Sequence, residues 1–176
     1  MKKLLILFTL FVFTGLFAAC ATKGAVKTAD APVPVQASAV LKPAQDGVVQ
    51  GSILFKEEEG GVRLIAEVSG LTPGWHGFHI HETGDCSAPD FSSAGGHFNP
   101  QQVDHGKVGE GHAGDLPSLE ADADGNAKLD ELLTCITLTG EHSIVGRALI
   151  VHANPDDYAA QPTGNAGPRV ACAVIE

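Results

Sequence analysis

Residues 48–68 have the sequence VVQGSILFKEEEGGVRLIAEV, and this stretch indicates most plainly how the chain folds. Apolar and polar residues alternate in both halves, which is typical of strands with one buried face. Between the halves, Glu59-Gly60-Gly61 is a turn signal. The stretch therefore predicts two antiparallel strands, over residues 48–55 and 62–68, joined in a hairpin.

Similar short segments recur along the rest of the chain, at residues 77–81, 126–132, 146–151 and 169–175. Turn signals separate them, and no amphipathic helical pattern lies between. Strands at such spacing predict an all-β fold, an antiparallel Greek-key β-sandwich or flattened barrel of about eight strands. The 34 residues between His81 and Leu116 are rich in glycine and proline and far exceed an ordinary connection, and loops of this length are usually functional or disordered. Together with the histidines described below, they lead us to expect long metal-binding loops.

Residues 1–19 predict a signal for export rather than a part of the fold. Lys2 and Lys3 precede an apolar run, from Leu4 to Ala19, that is shorter than the ~20 residues of a membrane-spanning helix. The small residues before Cys20 resemble the lipobox of bacterial lipoproteins, in which that cysteine is acylated. The alternative is simple secretion with Cys20 unmodified. We expect an exported protein of the bacterial periplasm, tethered to the outer membrane by a lipid on Cys20.

Residues 20–46 contain no aromatic residue and show neither a helical nor an alternating pattern, so they predict a flexible tether. Residues 47–176 then form a single folded domain. Removal of residues 1–19 leaves 9 Lys and Arg against 21 Asp and Glu, a net charge of −12. This charge argues against nucleic acid as a partner. It also repels anionic substrates, so any anion chemistry requires a locally placed cation.

Six of the eight histidines have spacings that suit metal binding. His79 and His81 flank Ile80, and strand alternation puts both rings on one face with Cα atoms ~7 Å apart; two polar residues on a wet sheet face would give the same pattern. The glycine-rich loop supplies three imidazoles and a carboxylate, a sufficient set for tetrahedral zinc: His97, His105, His112 and Asp115. His152 ends an apolar strand and fits a buried core histidine as well as a ligand.

Four segments resemble those of copper/zinc superoxide dismutases in the same order: GFHIHETGD at 77–85, GGHFNP at 95–100, GHAGDL at 111–116 and GNAGPRVAC at 164–172. The resemblance runs from about Val48 to Ile175. It implies one copper and one zinc ion per subunit. The enzyme would convert superoxide to dioxygen and hydrogen peroxide by cycling copper between Cu(II) and Cu(I), with zinc structural. The alternative is a non-catalytic metal-binding or buffering lipoprotein on the same scaffold, which would be expected to lack part of this residue set.

The resemblance also implies a role for each site residue. The copper ligands are His79, His81, His97 and His152. The zinc ligands are His97, His105, His112 and Asp115. His97 is therefore shared between the metals and doubles as a proton donor, while Arg169 holds superoxide beside copper.

Further roles follow from the same resemblance. Asp156 links a copper-ligand histidine to a zinc-ligand one, and Thr163 narrows the substrate channel. The loop at residues 159–162 lacks the charged guidance residues of eukaryotic members, which leaves Lys107 as a candidate for steering.

Cys86 and Cys172 match the disulfide of the family, in keeping with an exported compartment. Cys135 is left over and is expected to be a small buried core residue. His76 and His142 match no ligand position and are expected to be structural. Family members associate through different surfaces, so the sequence leaves both a monomer and a homodimer open.

Overall fold

The structure of the chain, a computed structural model, describes residues 35–176. The predicted export signal, Cys20 and the tether up to residue 34 lie outside the described residues. Within residues 35–176, no helix is long and apolar enough to cross a membrane. The described part contains one 3-10 turn, Ser92–Ala94, and nine strands: β1 (Gln36–Pro43), β2 (Gln50–Glu58), β3 (Gly61–Ser69), β4 (Gly74–His76), β5 (Phe78–His81), β6 (Leu119–Ala121), β7 (Ala127–Leu133), β8 (Ala148–His152) and β9 (Arg169–Val174).

The strands form one sheet in the order β4-β6-β7-β3-β2-β1-β9-β8-β5. Every pair of neighbouring strands is antiparallel. The two ends of the sheet, β4 and β5, are separated in sequence by Gly77 alone, so the sheet curves into a nearly closed barrel. The predicted all-β antiparallel fold is confirmed, with nine strands in place of about eight.

The β2–β3 hairpin follows the alternation that predicts it. Phe55 lies opposite Leu64, and Ile53 lies opposite Ala66. All four side chains are at most 2% exposed and form part of the core. The intervening side chains face outward, so the hairpin fixes which face of the sheet is buried.

The prediction of a tether over residues 20–46 is wrong at its C-terminal end, because Gln36–Pro43 forms β1. Ala37, Ala39 and Leu41 face the core and are at most 4% exposed. Two of these three residues are alanines, which give only a weak hydrophobic pattern. The strand is stabilised by pairing with β2 on one side and β9 on the other. The folded unit therefore includes residues before Gly47. The three-residue strands β4 and β6 are too short to produce a pattern.

The long loop between β5 and β6 folds back onto β5 and covers its outer edge. The N–H of Ile80 donates to the carbonyl of Gly114 at 2.9 Å, and the N–H of Phe98 donates to the carbonyl of Ile80 at 2.8 Å. A disulfide joins Cys86 in this loop to Cys172 in β9, with the Cα atoms 5.9 Å apart, as the resemblance implies. The loop is thereby fixed against the barrel at both places.

Candidate metal centre

The structure brings all six predicted histidines and Asp115 together in the interior, where each is at most 6% exposed. Two groups of four residues form, and within each group the potential ligand atoms lie within 4.8 Å of one another. One group contains His79, His81, His97 and His152, and we call it the four-histidine group. The other contains His97, His105, His112 and Asp115, and we call it the carboxylate group. His97 belongs to both.

Strand geometry and loop pairing place these side chains. His79 and His81 lie two residues apart on β5, with ring centroids 6.4 Å apart. Isolated bridges pair His81 with His97 and His79 with Asp115, so the long loop brings its candidate ligands to the same edge of β5. His152 ends the neighbouring strand β8. Residues distant in sequence therefore meet at the edge of one strand pair.

Hydrogen bonds decide which nitrogen of each ring is free in the four-histidine group. The Nδ1 atoms of His81 and His152 donate to the carbonyls of Gly95 and Gly167, each at 3.0 Å. The Nε2 atom of His79 donates to Asp156 Oδ2 at 2.9 Å. A neutral imidazole has one N–H, so the other nitrogen of each ring carries a lone pair.

Those lone pairs face a common interior space. His79 Nδ1, His81 Nε2, His97 Nε2 and His152 Nε2 are buried and find no hydrogen-bond partner among residues 35–176. Leaving such polar atoms buried without a partner costs free energy. Four imidazole nitrogens suit copper, and the group fits that ion.

The carboxylate group has the dimensions of a tetrahedral metal site. Asp115 Oδ1 lies 2.8 Å from His97 Nδ1 and 3.2 Å from His112 Nδ1, while Asp115 Oδ2 lies 3.0 Å from His105 Nδ1. A zinc ion with tetrahedral bonds of ~2.0–2.1 Å separates its ligands by roughly 3.3 Å. The donor set and its spacing therefore fit zinc.

Asp156 connects the two groups without belonging to either. Its Oδ2 accepts from His79 Nε2 at 2.9 Å, and its Oδ1 accepts from His105 Nε2 at 3.0 Å. One carboxylate thus orients one histidine of each group. Gly164 packs so closely against this carboxylate that a Cβ atom would overlap Asp156 Oδ1.

Burial sets the charge state of the centre. It lowers the pKa of His79 well below its ordinary value, the pKa of His81 to about 2 and the pKa of His152 to about 4. These rings are therefore neutral near pH 7, as metal binding requires. Burial opposes ionisation of Asp115, but hydrogen bonds from His97 and from the Gly106 N–H outweigh it and lower the pKa of Asp115 to about 2.

Arg169 places a cation next to the four-histidine group. Its guanidinium donates to the carbonyls of Phe91 and Gly95, and the Gly95 carbonyl also accepts from His81 Nδ1. The charge of Arg169 adds to burial in lowering the pKa of His81 and of His152. Phe91, Gly95 and Gly167 act through backbone carbonyls, which every residue type possesses, so no sequence pattern reveals them.

The other predicted residues lie around the centre. Thr163 and Lys107 are exposed on loops. His76 is buried, and its ring nitrogens lie 2.8 Å from the carbonyls of His152 and Thr72. Cys135 is half-buried and is unpaired within residues 35–176, and burial raises the pKa of its thiol.

A nearly closed antiparallel barrel with two metal-binding groups that share one histidine defines a class of two-metal β-proteins. This chain belongs to the copper/zinc superoxide dismutase family, whose family model, described as copper/zinc superoxide dismutase (SODC), matches residues 49–175. Copper and zinc are accordingly its cofactors.

Relatives agree with this assignment. The chain is 44% identical over 149 residues to a Cu-Zn superoxide dismutase of Caulobacter vibrioides, covering 80% of this chain and 85% of the relative. It is 46% identical over 136 residues to Cu-Zn superoxide dismutase 2 of Mesembryanthemum crystallinum, covering 72% of this chain and 86% of the relative. The crystal structure of the clock protein EA4 is similar with a TM-score of 0.74 at 40% identity, over 81% of this chain and 94% of that one.

Proposed function

We infer that this chain is a superoxide dismutase, which converts superoxide to dioxygen and hydrogen peroxide. The observation that carries the inference is the position of His97. Its Nδ1 lies 2.8 Å from Asp115 in the carboxylate group, while its Nε2 is buried in the four-histidine group. One imidazole is thereby available to two metals, and the names of the relatives support the activity.

The residues that hold the metals follow from the free ring nitrogens. We assign copper to His79 Nδ1 and to the Nε2 atoms of His81, His97 and His152. We assign zinc to the Nδ1 atoms of His97, His105 and His112 and to Asp115. Copper, when bound, supplies one-electron chemistry between Cu(II) and Cu(I), whereas zinc has a fixed valence and is structural.

Arg169 binds the substrate anion. Its guanidinium stays charged at any working pH, and it supplies the local cation that the overall charge of −12 after export demands. Two backbone carbonyls fix the guanidinium beside His81. Thr163, on the loop that leads to β9, narrows the approach to it. A small anion is therefore held next to the four-histidine group.

His97 moves a proton at Nε2. Formation of hydrogen peroxide from superoxide consumes two protons, so a proton donor close to the bound anion accelerates this step. Because Nδ1 of this ring faces the carboxylate group, 2.8 Å from Asp115 Oδ1, Nε2 is the nitrogen that would take up a proton and donate it to the bound anion.

The stoichiometry of the reaction tests the proposed activity. The purified full chain, loaded with copper and zinc, should consume many equivalents of superoxide and yield one hydrogen peroxide and one dioxygen for every two superoxide ions. A protein that only binds metal would stop after about one equivalent per copper. Consumption that ends there would contradict the proposal.

The cellular location is part of the proposal. We place the protein in the bacterial cell envelope, exported by residues 1–19 and anchored to the outer membrane through Cys20. The Cys86–Cys172 disulfide supports an oxidising compartment outside the cytoplasm.

The proposal leaves the oligomeric state open between a monomer and a homodimer. The native mass of the metal-loaded chain distinguishes the two.

A Cys20→Ser substitution tests the anchor. The variant should move from the membrane fraction to the soluble periplasmic fraction, because the acylated thiol is lost. Cys135→Ser is the matched control and should leave the distribution unchanged. Wild-type protein found wholly in the soluble fraction would contradict lipidation.

A further inference from the structure

The side chain of Gln161 pairs with the backbone of a predicted zinc ligand. The N–H of His105 donates to Gln161 Oε1 at 2.8 Å, and Gln161 Nε2 donates to the carbonyl of His105 at 2.9 Å. The amide thus reproduces the pair of hydrogen bonds that a neighbouring strand would offer. Within residues 35–176, these are the only hydrogen bonds that the backbone of His105 makes.

Besides Gln161, one further hydrogen bond supports the backbone next to His105, because the Gly106 N–H donates to Asp115 Oδ2 at 3.0 Å. Asp104 and Lys107 are exposed, and the loop around them contains no strand. The ring itself is buried and lies 3.0 Å from both Asp115 Oδ2 and Asp156 Oδ1. The ring is therefore held by two carboxylates, while Gln161 holds both backbone polar groups of His105 itself.

Gln161 and Asp156 belong to the same connection, between β8 and β9. This connection is braced internally, because Asp157 N–H donates to the Gly164 carbonyl at 2.8 Å and Gly164 N–H donates to the Ala160 carbonyl at 2.9 Å. It contacts one histidine twice, through the Asp156 carboxylate on the ring and through the Gln161 amide on the backbone. Two attachments on one residue fix both the position and the orientation of the ring.

We propose that Gln161 is a positioning residue for the zinc site, which holds His105 in the place from which Nδ1 binds the ion. This rests on the assignment of zinc to the carboxylate group in the proposed function. It also gives a role to the loop at residues 159–162, which lacks the charged residues expected for substrate guidance. In this chain, the loop acts on the metal site through an uncharged amide.

Two substitutions of Gln161 separate the hydrogen bonds from the shape of the side chain. Gln161→Met keeps a similar length and removes both hydrogen bonds. Gln161→Glu keeps an acceptor for the His105 N–H, but its second oxygen faces the His105 carbonyl and repels it. Gln101→Met is the matched control, because Gln101 is exposed in the long loop and its side chain makes no hydrogen bond to the described residues.

The test measures zinc affinity in the full chain by competition with a chromogenic zinc chelator, together with the visible spectrum of cobalt placed in the zinc site. We expect Gln161→Met to weaken zinc binding about tenfold and to alter the cobalt spectrum. Gln161→Glu should show a smaller loss, and Gln101→Met should match the wild type. Circular dichroism checks folding. If Gln161→Met fails to fold, the zinc affinity of Gln161→Glu is the test: weaker binding than in the wild type supports the proposal, and wild-type binding overturns it.

Wild-type zinc affinity and an unchanged cobalt spectrum in Gln161→Met would overturn the proposal. An equal loss in Gln101→Met would overturn it as well, since the effect would then not depend on the pairing with His105. A wild-type chain that binds no zinc would instead refute the zinc assignment of the proposed function. The two failures are therefore distinguishable.

Discussion

Arg169 brings a positive charge to the side of the buried histidines in an acidic protein. The nearby Asp90 carboxylate acts on its guanidinium electrostatically, but the two form no ion pair within residues 35–176. Its guanidinium donates to Phe91 and Gly95 without being neutralised by an ion pair in those contacts. The charge is therefore available to an incoming anion. Electrostatic attraction of this kind raises association rates by a factor of roughly 10 to 1,000.

An Arg169→Glu substitution should lower the rate of superoxide decay by roughly tenfold or more, because it replaces attraction with repulsion at the metal centre. Copper content should stay unchanged, which elemental analysis checks. Arg63→Glu is the matched control, since Arg63 lies on the outer face of β3 in an ion pair with Asp130. Equal losses in the two variants would refute the role of Arg169.

Gly164 permits the contact between Asp156 and His105. It has φ +69°, and an added Cβ would overlap Asp156 Oδ1 and lie 2.6 Å from His105 Nε2. Gly164→Ala should therefore lower both the melting temperature and the retention of zinc. Gly140 also has a positive φ, +80°, but a Cβ atom added there meets no atom within 4 Å. Gly140→Ala therefore measures the effect of backbone strain alone. Similar zinc retention in the two variants would contradict the proposed crowding.

Among the elements, the long loop between β5 and β6 depends on its attachments. The Cys86–Cys172 disulfide spans 86 residues and joins this loop to β9. In the chain-entropy model, closing a loop of that length contributes about 4 to 5 kcal/mol to stability. The bridge therefore restrains a glycine-rich segment that carries most of the proposed metal ligands.

The double substitution Cys86→Ser and Cys172→Ser should lower the free energy of unfolding of the metal-free chain by about 2 to 4 kcal/mol. Urea unfolding measures the change. Cys135→Ser removes a thiol without removing a bridge and serves as the control. An unfolding midpoint that stays at the wild-type value in the double variant would rule out a stabilising role.

The sequence predicts those elements whose pattern is local. The β2–β3 hairpin follows from alternation between Val48 and Val68, and the histidine spacing identifies the ligand candidates. The strand β1 escapes prediction, since Ala37 and Ala39 are weakly hydrophobic and its pairing with β9 is non-local. The contacts of Gly95, Gly167 and Gln161 escape prediction for a related reason, because each joins segments that only the fold brings together.

At the scale of the whole molecule, the metal-free protein has a buried cluster of neutral imidazoles. The pKa of His81 is lowered to about 2 and that of His152 to about 4, chiefly by burial. In the unfolded chain these rings have a pKa near ~6.5. Above that pH neither state binds the protons. Below it the unfolded state binds more protons than the folded state, so stability falls as the pH falls.

The urea midpoint of the metal-free chain should therefore decrease from pH 7 to pH 5. Protonation of His152 in the unfolded chain lowers the free energy of unfolding by about 3 kcal/mol, and this effect levels off near pH 4. The corresponding effect of His81 continues toward pH 2. His142→Gln is the control, because His142 is exposed and its loss should leave the slope unchanged. A midpoint that is constant or higher at pH 5 would contradict the burial of neutral histidines.

The central claim is that the shared histidine joins two metal groups into one catalyst for superoxide. Pulse radiolysis of the full chain, prepared free of metal and then loaded with zinc alone or with copper and zinc, measures superoxide decay directly. Rapid decay should require copper, should persist over many turnovers and should slow by roughly tenfold or more in Arg169→Glu at constant copper content. Equal decay with zinc alone and with both metals would contradict the claim.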